Sequence, residues 1–294
     1  MKKGILFILL IFLIMGCGSK KDKIVIGSKN FTEQVILGEI IALLIENNTD
    51  LNVETKFNLG GTFVCFNALK QGEIDLYPEY TGTGLIAILK KEVVSTREEA
   101  YRIVKSEFKS KFNLIWLKPF GFNNTYTVTM RKKEADKLSI KKISDLKKYE
   151  AVLKPGFNHE FMERLDGYKG LSKKYNLHFK SEPIEIDTGL MYKAVVEKEV
   201  DLICGFATDG RIPAFNLVIL EDDLNFFPPY YAATLIRAEI LAKYPIIAEI
   251  LNKFGGSISD QEMSKMNYKV DQQGIKAKTV AKEFLTDKRF LIKQ

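Results

Sequence analysis

Hydrophobic and polar positions alternate along this chain with two periods, one typical of strands and one of helices. Short apolar runs that end in a turn predict buried strands, at residues 23–27, 53–57, 74–77, 126–130, 151–153, 184–186 and 200–203. Stretches at helical spacing predict helices at residues 32–47, 62–71, 84–90, 95–112, 142–148, 159–165, 189–198, 245–254 and 260–270. From Tyr230 onward only helices are expected. Strands that alternate with helices indicate an α/β fold with parallel sheets.

One helix–strand unit occurs twice in altered form. A shift of 126 residues places Thr62 on Thr188 and Tyr80 on Phe206. Each copy predicts an aromatic ring just beyond the carboxyl end of a buried strand, which is where open α/β sheets bind ligands. Two such halves predict a binder with two lobes and a cleft between them. The match is sparse, so chance similarity between two ordinary helix–strand units remains an alternative.

Asp75 and Asp201 fall on the same position of the two copies. They could form a carboxylate pair, but the two copies belong to different lobes. Because Asp is favoured in turns, we interpret both as structural residues at the turn before each strand.

Changes in composition near residue 124 and at Phe226–Pro229 predict two crossings between the lobes. The predicted organisation is a signal peptide at 1–16, a linker at 17–23, lobe 1 at 24–124 and 229–294, and lobe 2 at 125–228. Lobe 1 is therefore expected to be discontinuous in sequence.

The amino terminus predicts export. Lys2 and Lys3 precede an apolar run at 5–14, which is too short to span a bilayer of about 30 Å. The following Leu13–Cys17 resembles the lipobox of bacterial lipoproteins, which implies lipidation of Cys17 and anchoring on the extracytoplasmic face of the cell membrane. The alternative is an ordinary signal peptide with a chance cysteine.

Composition argues against several classes of function. The formal charge of +7 is spread along the chain, and the clusters at 131–133 and 141–142 lack interleaved aromatic residues, so nucleic-acid binding is not expected. Two histidines lack metal-ligand spacing, and neither a nucleophile elbow nor a phosphate loop occurs. We therefore expect no enzyme, no metal and no cofactor. Cys65 and Cys204 are interpreted as small buried hydrophobic residues in different lobes.

Aromatic residues cluster where the cleft is expected. Tyr80, Tyr126, Phe206, Tyr230 and Tyr231 lie at predicted strand ends or lobe crossings. Any single tyrosine could be a half-buried surface residue. Rings that converge from different segments can instead enclose a cation that donates no hydrogen bonds, and quaternary ammonium groups are such cations.

Five segments resemble the osmoprotectant-binding proteins of ABC importers, in unbroken order from about Lys23 to the carboxyl terminus. They are Gly27–Gln34, Leu59–Thr62, Gly72–Thr83, Thr208–Arg211 and Pro228–Tyr230. The resemblance implies a type II periplasmic-binding-protein fold, with two α/β lobes and a ligand cleft. It also implies glycine betaine, proline betaine, choline or carnitine as ligand, and the transmembrane permease subunit with its ATPase as partner.

The resemblance also implies which residues bind the ligand. The aromatic box would consist of Tyr80, Tyr126, Tyr230 and Phe206, the last at a position where many members have tyrosine. The ligand's carboxylate would contact Lys29, Thr83 and Arg164. Asn124 could offer a backbone carbonyl near the cation, and Asn30 and Gln34 are weaker candidates.

The sequence leaves the choice of ligand open. Choline lacks a carboxylate and would leave Lys29 and Arg164 without a partner, which is unfavourable if they are buried. This favours glycine betaine or a related compound. The alternative is a protein that binds choline or another quaternary amine as a nutrient, and a remote alternative is a surface-anchored enzyme or adhesin.

Overall fold

The computed structural model describes residues 23–94 and 96–291. The predicted signal peptide and Cys17 lie outside these residues. The strands in the described part are β1 Lys23–Gly27, β2 Asn52–Lys56, β3 Leu76–Tyr80, β4 Leu114–Asn123, β5 Tyr126–Arg131, β6 Pro155–Phe157, β7 Ile184–Glu185, β8 Leu202–Phe206, β9 Leu217–Ile219 and β10 Tyr231–Arg237.

The helices in the same part are α1 Thr32–Asn48, α2 Thr62–Gln71, α3 Thr81–Thr83, α4 Arg97–Phe112, α5 Lys132–Leu138, α6 His159–Glu163, α7 Tyr168–Tyr175, α8 Met191–Val196, α9 Arg211–Ala214, α10 Ala238–Lys243, α11 Ile246–Phe254, α12 Asp260–Asp271 and α13 Ala277–Asp287. A π-helical segment, Gly84–Ile88, continues α3, and a 3₁₀ helix spans Ile143–Tyr149.

Two five-stranded sheets organise the described chain. The first has the order β2-β1-β3-β10-β4 and the second the order β7-β6-β8-β5-β9. In each sheet four strands run in one direction and one strand runs in the opposite direction. The reversed strand is β10 in the first sheet and β5 in the second, and it lies between three adjacent parallel strands and the remaining edge strand. We call the part built on the first sheet lobe 1 and the part built on the second sheet lobe 2. This arrangement confirms the predicted α/β fold with two lobes.

The two helix–strand units occupy equivalent places, because β3 and β8 are the central strands of their sheets. Tyr80 and Phe206 are the last residues of these strands rather than the residues just beyond them.

The aspartates before the two central strands also have equivalent partners. Asp75 accepts a hydrogen bond from the Val25 amide at 2.8 Å and pairs with Arg237 at 3.3 Å. Asp201 accepts one from the Lys154 amide at 3.0 Å and pairs with an arginine at the end of β5 at 2.6 Å. Both carboxylates thus tie neighbouring strands together, which confirms the structural interpretation.

Two expectations about local structure are wrong. Residues 151–153 form a turn instead of a strand, and Val152 is 69% exposed there. The strand begins instead at Pro155, directly after Lys154, whose backbone amide donates to Asp201. Tyr231–Arg237 is a strand, β10, although only helices were expected from residue 230 onward. Because β10 is buried on both faces, its sequence lacks the alternation that marks a half-buried strand.

The core of lobe 1 lies on both sides of its sheet. On one side α1 buries Ile36, Ile40 and Leu44 and packs against α11, α12 and α13. On the other side a separate cluster surrounds Trp116. Cys65 and Cys204 are free and buried, and burial raises the pKa of each thiol to about 12, which confirms their interpretation as hydrophobic residues. Among the described helices, none has the length and apolar character needed to cross a bilayer.

The chain passes from one sheet to the other between β4 and β5 and again between β9 and β10. The two connecting segments are hydrogen-bonded to each other. The Asn124 amide donates to the Tyr230 carbonyl at 3.1 Å, and the Tyr230 amide donates to the Asn123 side chain at 2.7 Å. This pair of segments forms the floor of the cleft between the lobes.

Candidate functional site

A cavity of about 890 Å³ lies between the lobes, at the carboxyl ends of β1, β3, β6 and β8. This volume lies within the range of small-molecule sites. All the predicted ligand-binding residues line it, namely Lys29, Tyr80, Thr83, Asn124, Tyr126, Arg164, Phe206 and Tyr230. Of the weaker candidates, Asn30 lines the cavity, whereas Gln34 is buried beside it and accepts a hydrogen bond from the Lys29 amide.

Five aromatic rings form a continuous arc along the cavity. Phe31 stacks between Phe206 and Tyr80, with ring centroids 5.6 and 6.3 Å apart and planes within 20° of parallel. Tyr126 follows Phe206 at 5.3 Å, and Tyr230 stands perpendicular to Tyr126 at 5.7 Å. Four of these rings were predicted, and Phe31 was not. An arc of ring faces and edges around a cavity suits a cation that carries methyl groups.

The Lys29 ammonium is buried and already has a carboxylate partner. It lies 2.6 Å from the Glu79 carboxylate and 3.0 Å from the Thr62 hydroxyl, and 5.4 Å from the centre of the Tyr80 ring. The same carboxylate accepts hydrogen bonds from the Tyr77 hydroxyl and the Tyr80 amide. This network fixes the ammonium at the edge of the aromatic arc.

The Arg164 guanidinium is also buried and paired. Its Nε and Nη2 donate to the two oxygens of Asp166 at 2.8 and 2.5 Å, and its Nη1 donates to the Thr83 hydroxyl at 3.3 Å. The Tyr230 hydroxyl donates to the same aspartate. Although burial disfavours the charged guanidinium, the charge of Asp166 raises the pKa of Arg164 well above its usual value.

These pairs change the argument about choline. Lys29 and Arg164 have partners within the protein, so a ligand without a carboxylate would not leave them alone. An ammonium has three N–H donors and a guanidinium five. The hydrogen bonds above leave one donor on Lys29 and two on Arg164. The site can therefore still donate to a ligand carboxylate, but it does not require one.

A third buried carboxylate, Glu33, lies behind the arc at the start of α1. It accepts hydrogen bonds from the Tyr80 hydroxyl at 2.7 Å, the Asn124 side-chain Nδ2 at 2.8 Å, the Asn267 side-chain Nδ2 at 3.0 Å and the Thr208 hydroxyl. These donors come from both lobes and from the segment between them. Burial raises the pKa of Glu33, and the four hydrogen bonds oppose that rise.

One contact joins the lobes across the cavity mouth. Glu160 of α6, in lobe 2, accepts a hydrogen bond at 2.6 Å from the Thr62 amide, which begins α2 in lobe 1. The approach is close enough that a Cβ at Gly61 would overlap the Glu160 carboxylate. A side chain at Gly61 would therefore force the Glu160 carboxylate to shift from its place at the Thr62 amide.

Sequence reasoning missed Phe31, Glu33, Glu79 and Asp166. Phe31 and Glu33 follow β1, a parallel neighbour of β3 whose carboxyl end lies beside the start of β3. The available signal was therefore that the segment after a neighbouring parallel strand can reach the same site. Nothing in the local sequence marks Glu79 as the partner of Lys29, because this pair forms through the fold. Asp166 lies two positions from Arg164, and this short spacing was the available signal.

Among residues 23–94 and 96–291, no group of three metal-ligating side chains comes together. The site consists instead of aromatic rings, two paired cations and one separate carboxylate. Such a site can bind a small charged ligand without changing it.

Comparison with known proteins agrees with this geometry. Residues 22–287 match the model of a family described as the substrate binding domain of ABC-type glycine betaine transport systems. The carnitine transport binding protein OpuCC of Listeria monocytogenes is 42% identical over 271 residues, which is 91% of this chain and 87% of the relative. The ergothioneine transport permease/ergothioneine binding protein EgtU of Helicobacter pylori is 38% identical over 95% of this chain and 51% of its own length.

A crystal structure of a glycine betaine/carnitine/choline ABC transporter protein is also similar. It superposes with a TM-score of 0.76 at 33% identity, over 91% of this chain and 99% of that one. The resemblance inferred from the sequence motifs is confirmed, and the family consists of solute-binding proteins, not enzymes. The chain belongs to the family of extracytoplasmic substrate-binding proteins of ABC-type glycine betaine importers.

Proposed function

We propose that this protein captures a quaternary ammonium osmoprotectant, glycine betaine or a related compound, and delivers it to an ABC permease with its ATPase. The observation that carries the proposal is the five-ring arc beside two buried cations that retain free donors. The rings of Tyr80, Tyr126, Phe206 and Tyr230 would surround the trimethylammonium group, and Lys29, Thr83 and Arg164 would hold a carboxylate. Asn124 would act through its contact with Glu33.

The size of the cavity favours a second candidate ligand. About 890 Å³ is far more than glycine betaine needs, and the cavity continues past the cations to Glu160, Glu163 and Asp187. A longer betaine would use this polar outer part. Carnitine and ergothioneine, which the names of two relatives contain, are suitable members of that class.

Calorimetric titration of a soluble chain that begins at Gly18 tests both candidates. The panel is glycine betaine, carnitine, ergothioneine, choline and dimethylglycine. We expect tight binding of at least one quaternary betaine and weaker binding of dimethylglycine, whose ammonium presents fewer methyl groups to the rings and still donates a hydrogen bond. Absence of binding to every quaternary compound would refute the proposed function.

We also infer that the protein is held at the membrane by a lipid on Cys17 and that its lobes comprise residues 24–124 with 229–294, and 125–228. The lipobox-like Leu13–Cys17 supports the anchor, and the two crossings between the sheets support the division. A choline-binding nutrient importer remains the functional alternative, because the two buried cations do not depend on the ligand for a partner.

A further inference from the structure

Buried carboxylates in lobe 1 and around the cleft are paired with cations, with one exception. Glu79 pairs with Lys29 at 2.6 Å, and Asp166 pairs with Arg164 at 2.5 Å. Farther from the cavity, Asp75 pairs with Arg237 and Asp209 with Arg211. Within residues 23–94 and 96–291, Glu33 forms no ion pair although it is only 2% exposed. The buried side chains around the cleft therefore carry one surplus negative charge.

The neighbours of Glu33 offer it four hydrogen-bond donors, an arrangement that suits a carboxylate. Asn124 accepts from the Thr208 amide through Oδ1, so its Nδ2 must face Glu33. The Nδ2 of Asn267 also donates to the Thr208 carbonyl, which fixes the second amide. Each oxygen of Glu33 thus receives an amide N–H and a hydroxyl. A neutral acid could donate only to the Tyr80 or the Thr208 hydroxyl, and only if that hydroxyl turned its own proton away from Glu33.

The position of Glu33 connects this charge to the aromatic arc. The Tyr80 hydroxyl donates to Glu33 while the Tyr80 ring lines the cavity, so the hydrogen bond polarises the ring. Phe31 and Phe206 line the main cavity on one side and, with Glu33, a small second cavity of about 20 Å³ on the other. One layer of aromatic rings separates the Glu33 carboxylate from the proposed position of the ligand's ammonium group.

An unpaired buried carboxylate is costly to fold, because no cation compensates its lost hydration. Building on the proposed function, we propose that Glu33 is the counter-charge of the ligand: its carboxylate selects a cationic head group through the aromatic layer, and the ligand's ammonium completes the ion pair. Glu33 is then a specificity-determining residue that never touches the ligand. The rings supply shape and cation–π attraction, and Glu33 supplies the long-range charge.

A pair of isosteric ligands separates charge from structure. Glycine betaine and 3,3-dimethylbutanoate have the same shape and the same carboxylate, but only the first carries a positive charge beside its methyl groups. In Glu33→Gln, measured by calorimetry at about pH 7.5, we expect affinity for glycine betaine to fall about tenfold, from the Coulomb energy at an effective dielectric constant near 20. Affinity for 3,3-dimethylbutanoate should not fall, because its only charge, the carboxylate, is repelled by Glu33 and gains when that charge is removed.

The substituted glutamine fits the existing network. Its oxygen can accept from Tyr80 and Asn124, and its amide can donate to the Thr208 hydroxyl, while the Asn267 Nδ2 keeps its bond to the Thr208 carbonyl. The control is Glu39→Gln, which removes a half-buried carboxylate from the same helix, α1. It should leave the ratio of the two affinities unchanged.

Equal losses for both ligands in Glu33→Gln would show that Glu33 only supports the structure, and the inference would be overturned. Unchanged affinity for glycine betaine would overturn it as well. Failure of the wild-type chain to bind any quaternary ammonium compound is a different result, since it refutes the proposed function itself.

A measurement on the wild-type chain covers the case in which Glu33→Gln does not fold. A cation near Glu33 favours its carboxylate, so glycine betaine binding at about pH 6 should release protons. 3,3-Dimethylbutanoate, corrected for its own ionisation, should release none. Calorimetry in two buffers of different ionisation enthalpy measures this release, and the same release with both ligands would contradict the assignment.

Discussion

The Glu160 carboxylate of lobe 2 lies 2.6 Å from the backbone amide of Thr62 in lobe 1. Thr62 also accepts from the Lys29 ammonium, which in turn pairs with Glu79. The contact between the lobes is thus continuous with the cation that we place at the ligand's carboxylate. Closure of the cleft and retention of the ligand should therefore depend on each other.

Gly61→Ala should weaken closure of the cleft, because the added methyl group would displace the Glu160 carboxylate from the Thr62 amide that joins the lobes. We expect affinity to fall by about tenfold or more, the size of a typical coupling energy. Small-angle scattering should show that saturating ligand shrinks the wild-type radius of gyration but not that of the variant.

Gly189→Ala is the matched control, since a methyl group there meets only the Asp187 side chain at 3.2 Å. It should bind and close as the wild type does. Normal closure of Gly61→Ala would mean that the lobes meet differently in solution.

Phe31→Ala should weaken binding of every quaternary ammonium ligand. The ring links Tyr80 to Phe206, and a desolvated cation–π contact contributes about 2 kcal/mol, or some tens-fold in affinity. Phe63→Ala removes a ring of the same size that is 50% exposed at the outer cavity, and it should have little effect on glycine betaine. Similar losses in the two variants would argue against the five-ring arc as the cation site.

Lys29→Gln should change selectivity more than overall binding. Glu79 keeps its hydrogen bonds from Tyr77 and the Tyr80 amide and can accept one from the new amide, so the variant is expected to fold with lower stability than the wild type. Removing one charge-assisted hydrogen bond costs about 1.5–3 kcal/mol, so glycine betaine should lose about tenfold or more relative to choline. The ratio of the two dissociation constants checks this, and an unchanged ratio would place the carboxylate elsewhere.

The stability of the ligand-free protein should depend on Glu33 and pH. Its pKa is raised in the folded state, so the folded protein binds more protons than the unfolded chain above the ordinary value of 4.5, and stability falls as pH rises through the folded pKa. Tyr80, Asn124, Thr208 and Asn267 are hydrogen-bonded to it, and Tyr80 has a pKa raised well above its usual value. The charged side chains that line the same small cavity are Asp209, Arg211 and Asp271.

Scanning calorimetry at about pH 5 and pH 8 measures this dependence. The decrease in Tm from pH 5 to pH 8 should be smaller in Glu33→Gln than in the wild type. The expected difference is about 2–4 °C, which corresponds to roughly 1 kcal/mol in a chain of this size. Glu163→Gln, at an exposed carboxylate, should retain the wild-type drop. Identical pH profiles for wild type and Glu33→Gln would exclude a titrating Glu33.

Cys17→Ser should abolish incorporation of labelled fatty acid and leave the precursor uncleaved or released. If Leu13–Cys17 is a lipobox, the Cys17 thiol is the group to which the lipid is attached. Metabolic labelling of cells that express each form tests this. Equal labelling of the two forms would exclude lipidation at Cys17.

Sequence reasoning identified the ring positions because each ring ends a strand or adjoins a lobe crossing, and both features leave local patterns. Tyr80 and Phe206 followed from the repeated helix–strand unit, and the structure brings both to one cavity. The strand β10 was missed because burial on both faces removes the alternation that identifies strands.

The partner of Lys29 could not be found in the same way. Lys29 and Glu79 are 50 positions apart and meet only because β1 and β3 are neighbours in the sheet. Glu33 reads as an ordinary acidic residue in the first turn of a helix, and only the three-dimensional arrangement shows that no cation accompanies it. Such interactions depend on which strands are neighbours in the sheet, and a single sequence does not reveal that order.

The place of β10 has a consequence for the order in which the protein can fold. This strand lies between β3 and β4, so without it β4 has no neighbour in the first sheet. Lobe 2 is one continuous segment and can form its sheet as soon as β9 has emerged, whereas lobe 1 must wait for Tyr231–Arg237. During export, lobe 1 could therefore not complete its sheet until β10, in the last quarter of the chain, has crossed the membrane. A fragment that stops before β10 should contain a folded lobe 2 and an incomplete lobe 1.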